Sequence, residues 1–147
     1  MATRGVIYVH SAPAAICPHV EWAISGVLGT RVSLAWTGET GTGSKLAAAL
    51  KNWSMVRFEI TEEASSGVDG QRYCHVPGRG IWHATMSANG DVLVGEDQLR
   101  ALAARATSLD GLQHALAQAI GIDVDAELES FRRAGEGSPV TWLHQVG

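Results

Sequence analysis

The sequence predicts an α+β fold: a two-layer sandwich in which a mixed β-sheet carries its helices mainly on one face, followed by a C-terminal helical segment. Three observations predict it. Strand-like and helix-like periodicities alternate through the first half of the chain. Beyond residue 71 the strands are linked by turns rather than helical crossovers, and Asn89-Gly90 is the strongest short hairpin signal in the chain. From Gly95 onward the pattern turns helical. Hairpin-linked strands in the second half argue against a doubly wound sheet.

Taken in order, Gly5 to Ser11 is apolar on both faces, as in a central or doubly covered strand. Pro13 and Pro18 then turn the chain, and a helix starting at Pro18 buries Val20, Ala23, Ile24, Val27 and Leu28 at the spacing of one face. Gly29 suits its C-cap. Arg31 to Trp36 alternates as a half-buried strand. Thr37 to Gly43 reads as a polar loop, and Ser44 or Thr42 as the cap of a helix reaching Asn52. Met55 to Glu62 is the clearest strand, with Val56, Phe58 and Ile60 inward and Arg57, Glu59 and Thr61 outward. Ala64 to Gln71 reads as a surface loop, Arg72 to Val76 as a short strand, and Ile81 to Ser87 and Asp91 to Val94 as the arms of a hairpin. Three helices follow, with inner faces Leu99, Leu102, Ala103 and Ala106; Leu109, Leu112, Leu116 and Ile120; and Val124, Leu128 and Phe131. Asp123 is placed to cap the third. The tail Ser138 to Val146 reads either as an edge strand or as an extended arm. The expectation is a single domain over residues 1–147: a sheet-forming part at 5–94, helices at 95–135 and a tail at 136–147.

A net charge of −4, with 11 basic and 15 acidic residues and no basic run, argues against a nucleic-acid surface and a polybasic membrane anchor. No apolar run is long enough to span a bilayer, and the amino terminus lacks the apolar core of a signal peptide. Two cysteines, Cys17 and Cys74, are too few for a disulfide scaffold, so a reduced, cytoplasmic chain is expected.

The strand-to-helix junction Tyr8 to Trp22 concentrates the chemistry. His10, Cys17, His19, Glu21 and Trp22 are the predicted binding residues. Cys17 at a helix start has its thiolate favoured by the helix dipole, so Cys17 with His10 or His19 as base and Glu21 as orienter is the nucleophilic alternative. Trp22 shares a helix flank with His19 at i, i+3 spacing, and an exposed Trp there reads as a partner anchor. Zinc is a further alternative, drawing on His10, Cys17, His19, Cys74, His75 and His83. No recognised ligand spacing supports it, and neighbouring Cys74 and His75 point to opposite faces of a strand, so neither a metal nor a cofactor is expected. Gly41-Thr-Gly-Ser-Lys45 lies where phosphate loops lie. Ser44 separates Lys45 from the last Gly and no hydroxyl residue follows it, leaving only a bare helix N-terminus as an anion site. The C-terminal helices read as a cover for the sheet, with a partner groove as the alternative.

The stretches Tyr8-Val-His-Ser-Ala-Pro13, Cys17-Pro-His-Val-Glu-Trp-Ala23, Leu46-Ala-Ala-Ala-Leu50, Arg57-Phe-Glu-Ile-Thr-Glu-Glu63 and Ser87-Ala-Asn-Gly-Asp91 carry a resemblance. The chain resembles the actinobacterial domain-of-unknown-function family DUF3145. The resemblance implies a cytoplasmic protein whose genes lie, in some of these bacteria, beside fatty-acid-synthesis genes. It supplies no catalytic residue. The expected function is a non-enzymatic accessory or regulatory protein binding a protein partner or small ligand, with a fatty-acid-synthesis component as the partner. A small Cys/His enzyme acting on a thioester or acyl substrate is the rival.

Overall fold

The computed structural model describes residues 2–11, 17–29, 37–39 and 41–134. The elements are β1 (Ala2–Ser11), α1 (Cys17–Leu28), β2 (Thr37–Glu39), α2 (Thr42–Leu50), β3 (Arg57–Glu62), β4 (Gly70–Val76), β5 (Gly80–Met86), β6 (Val92–Leu93), α3 (Glu96–Arg105), α4 (Leu109–Ala119) and α5 (Ile122–Ala134). The strands form one sheet in the order β2-β1-β3-β4-β5-β6. The α+β class predicted from the sequence is the one observed. Among the described residues, no helix is long and apolar enough to cross a membrane.

The sheet differs from the expected mixed sheet, because every described pairing is antiparallel. Periodicity orders the elements along the chain but does not give strand direction, so a strand–helix–strand order was compatible with either. The expected strand at residues 31–36 and the tail at 136–147 lie outside the described residues. Part of the expected 37–43 loop is instead β2, paired with the start of β1 through Ala2–Glu39, Thr3–Gly38 and Arg4–Thr37. The Asn89-Gly90 turn joins β5 to β6, with Gly90 at φ 88° and the Ser87 N–H donating to the Asp91 carbonyl at 2.8 Å.

Helices pack on both faces of the sheet rather than mainly on one. Val20 and Ile24 of α1 and Leu46, Ala47 and Leu50 of α2 bury against Val56 and, on β3, Phe58 and Ile60, with Ile7, Tyr73 and Ile81 partly covered at the margin. On the opposite face Cys74 and Val76 of β4 bury against Leu128 of α5, with Trp82 and Val124 packed around them. The second layer escaped the sequence because its positions on β3 are polar. Arg57 and Glu59 alternate with apolar residues as a solvent-facing side would, yet Glu59 is buried and the Phe131 ring of α5 lies over Arg57, 4.4 Å from its guanidinium carbon. Each fully buried Leu or Phe side chain contributes about 1.5–3 kcal/mol. Leu46, Leu50, Leu128 and Phe58 are all wholly buried, so both layers are anchored.

The caps also differ from expectation. Gly41, not a hydroxyl residue, precedes α2, and it takes the left-handed conformation at φ 90°. Asp123 lies in the first turn of α5, which begins one residue earlier. Ser108 caps α4 by accepting the Gly111 N–H at 3.0 Å.

Candidate functional site

The densest polar arrangement lies under α5. In the middle of β3, Glu59 stands in register with Tyr8 of β1 on one side and Cys74 of β4 on the other. The β1–β3 register shifts between Val9 and Ser11, and the intervening His10 places Nε2 2.6 Å from Glu59 Oε2. From β4, Arg72 Nη2 donates to Glu59 Oε1 at 2.7 Å and to Asp125 Oδ1 at 2.7 Å. From α5, Arg132 Nε donates to Glu59 Oε2 at 2.8 Å, and its Nη2 donates to Asp125 Oδ1 at 2.8 Å and to Glu59 Oε1. The Cys74 thiol donates to Glu59 Oε1 at 3.8 Å. Asp125 and Arg132 are seven residues apart, about two helical turns, so both project from the helix face that buries Leu128.

Burial alone would push the Glu59 carboxyl up. The hydrogen bonds from His10, Arg132 and Arg72 outweigh it and hold Glu59 well below the usual carboxylate range. Asp125 is likewise lowered: burial opposes ionisation, and Arg72 and Arg132 prevail. Arg72 is raised, because its bonds to Asp125 and Glu59 exceed the cost of burial, and Arg132 is raised chiefly by its bond to Glu59. Burial pushes the Cys74 thiol up to about 12. A carboxylate so firmly ionised is a poor proton carrier, and a wholly buried thiol that stays protonated is no nucleophile. The cluster therefore clamps α5 to β1, β3 and β4, and its charges are spent on one another.

Beside the clamp, the Trp82 ring lies 5.6 Å from the Arg72 guanidinium carbon, and its Nε1 donates to the Gln118 carbonyl at 3.0 Å. Gly121 at the α4–α5 turn has φ 81°, and a Cβ there would sit 2.7 Å from the Trp82 ring, so only glycine fits. An open cleft of about 180 Å³ runs past Trp82, Gln118 and Val124. Arg79 at its edge is paired with Glu127 and, at 3.9 Å, with Asp123.

The Gly41–Lys45 turn has its anion already. Glu62, at the end of β3 and buried, accepts the Gly43 N–H with one oxygen and the Gly41 N–H with the other at 3.4 Å. A carboxylate at a helix N-terminus satisfies otherwise unpaired N–H groups and the positive end of the dipole. A Cβ on Gly43 would lie 2.6 Å from Glu62 Oε1, so the second glycine of the phosphate-loop-like motif makes room for an internal side chain.

Of the predicted binding residues, His10 lies apart from His19 and Trp22. His10 points under α5. His19 and Trp22 lie on α1, which packs on the other face of the sheet, and both are exposed, Trp22 to 75%. Cys17 and Glu21 are in α1, and their side chains lie outside the described residues. Cys74 and His75 point to opposite faces as expected. Cys74 faces α5, while His75 stacks on Phe58 at 5.3 Å and donates from Nδ1 to the Val56 carbonyl at 2.6 Å. His83 stacks on Tyr73 at 4.6 Å and meets Gln71 Oε1 at 2.6 Å. Among the described residues no group of three or more His, Cys, Asp and Glu side chains is placed to hold a metal. Sequence reasoning missed Glu59, Arg72, Asp125 and Arg132. Two signals were available: opposite charges on the outward positions of neighbouring strands, and Asp125 and Arg132 sharing a stripe with Leu128.

The family model described as a protein of unknown function, DUF3145, matches residues 6–145, and the chain belongs to that family. No curated protein and no solved structure matches it.

Proposed function

We propose that this DUF3145 protein is a non-enzymatic accessory or regulatory protein that holds a protein partner or small ligand on the outer face of α1. The observation that carries the reading is Trp22. It is 75% exposed on a helix whose other face is packed, with exposed His19 one turn away. A solvent-facing Trp loses a large apolar area to water and is the commonest kind of interface anchor. The self-satisfied Glu59 cluster supports a binding role over a catalytic one. The partner class we place first is a component of fatty-acid metabolism, such as a carrier protein or a synthase, acting in the cytoplasm. That choice rests on the family's gene neighbourhood. Tagged protein drawn from native lysate is expected to hold a defined partner in fixed ratio, and Trp22→Ala to release it without loss of helical signal. Background proteins alone, or equal capture by Trp22→Ala, would count decisively against it.

The rival thiol enzyme requires Cys17 to alkylate faster than an ordinary thiol and to lose the excess rate in His10→Ala or His19→Ala. Ordinary reactivity at Cys17 ends it.

A further inference from the structure

We infer that β5 takes up a strand from a partner protein: an extended, basic peptide segment pairs with the open edge at residues 80–84 and sets alternate side chains into the cleft beside Trp82. The surface is separate from the outer face of α1, which packs on the side of the sheet opposite Trp82.

β5 pairs with β4 along its whole length, but β6 meets it only at Thr85 and Met86. Backbone N–H and C=O groups turn to the same side of a strand at every second residue. The Ser87 N–H points to the β6 side, where it donates to the Asp91 carbonyl at 2.8 Å. Thr85, His83 and Ile81 therefore turn their backbone groups the same way. β6 ends at Leu93, opposite Thr85, so among the described residues no strand meets the groups of His83 and Ile81. Such a row is a ready template for another strand, and sheets commonly blunt it with Lys, Pro or a bulge. Gly80-Ile-Trp-His-Ala84 contains no Lys, Pro or carboxylate, and its register with β4 is unbroken.

The surroundings of the edge select the occupant. A line of unpaired backbone donors and acceptors is matched by an extended chain, whose alternate side chains then seek pockets. The open cleft of about 180 Å³ runs along this stretch, with Ile81 and Trp82 on one wall and Gln118 and Val124 on the other. One side of an added strand thus meets an apolar wall. The charge at both ends is negative. Beside Gly80, Arg79 is paired with Glu127 and lies 3.9 Å from Asp123, two carboxylates for one guanidinium. At the other end β6 leads into Glu96 and Asp97, with Arg100 paired to Glu96. Lys or Arg in the added segment answers that excess, and an acidic segment is repelled. Residues 135–147 of this chain contain one Glu and no Lys or Arg, so they bring no such cation. The β5 edge of a second copy would bring the same negative ends. A basic segment of another protein fits where both of these do not.

A displayed library of random peptides, each about ten residues long, selected on the full chain, tests this. The expected winners alternate apolar residues and carry Lys or Arg. His83→Pro removes an outward N–H that an edge strand can spare, and is expected to weaken the best winner by about tenfold or more, while His83→Ala keeps the affinity. N-methylation of one alternating set of the peptide's amides is expected to abolish binding and of the other set to leave it, a signature that needs no change to the protein. No enrichment over the unselected library overturns the inference, whether residues 135–147 or a second copy fills the edge. Winners without Lys or Arg overturn it, and so does a peptide indifferent to both sets of N-methyl groups. None of these results bears on capture through Trp22.

Discussion

At the scale of single residues, Glu59 sets the acid sensitivity of the fold. Its folded-state pKa is depressed far below the ordinary 4.5, and Asp125 is depressed with it. A depressed carboxylate contributes stability that is present above its unfolded pKa and is lost as pH falls toward its folded pKa. Unfolding free energy is therefore expected to decline steadily below pH 4.5, and Glu59→Gln to flatten that decline in urea titrations repeated across the acid range. Near neutral pH the same substitution leaves Arg72 and Arg132 short of an anion, and a loss of about 3–5 kcal/mol follows. Cys74 gives a second residue-scale test. Buried and with a pKa near 12, it is expected in a Cys17→Ser background to react with a thiol reagent only as fast as the protein opens. Reaction at the rate of a free thiol would mean the α5 layer does not cover it.

At the scale of elements, α2 and α5 are held by opposite devices. The start of α2 is satisfied from outside itself, by Glu62 on the neighbouring strand. Glu62→Ala is expected to cost about 2 kcal/mol, as the loss of a strong cap does, and Gly43→Ala to destabilise as well by forcing the carboxylate aside. Thermal melts of both variants check this. The inner face of α5 combines the clamp with Leu128, whose replacement by Ala is expected to cost about 2–5 kcal/mol. By contrast α3 and α4 have no buried residue, so in dilute protein their amides are expected to exchange hydrogen well before those of α2 and β3. The strands around Phe58, the Asn89-Gly90 hairpin and all three C-terminal helices were legible in the sequence, because each leaves a period or a turn signal within a few residues. The caps were not. Thr42 and Ser44 have the side chains of an N-cap, and nothing local reveals that a carboxylate from β3 takes the role.

At the scale of the whole molecule, the layering follows from which face of the sheet each helix chooses. Local pattern cannot show that choice when the covered face is charged. Glu59 reads as solvent-facing from its neighbours Phe58 and Ile60. Its burial becomes visible only once His10, 49 residues away, and Arg132, 73 residues away, are known to meet it. The candidate site was legible to the same extent. His10 and Trp22 stood out locally as candidate binding residues; the structure puts His10 in the clamp and leaves Trp22 exposed, while the partners that give His10 its setting come from distant parts of the chain. The clamp also carries a consequence for synthesis. A chain leaving the ribosome exposes β1, β3 and β4 long before α5, and until Arg132 and Leu128 emerge one side of the sheet has Glu59 without its Arg132 bonds and an uncovered apolar patch. At about 5–20 residues per second that interval lasts seconds. Closure of the second layer is thus expected to follow assembly of the first, and stalled nascent chains whose α5 is still inside the exit tunnel are expected to stay protease-sensitive and to recruit chaperones that chains with α5 exposed do not.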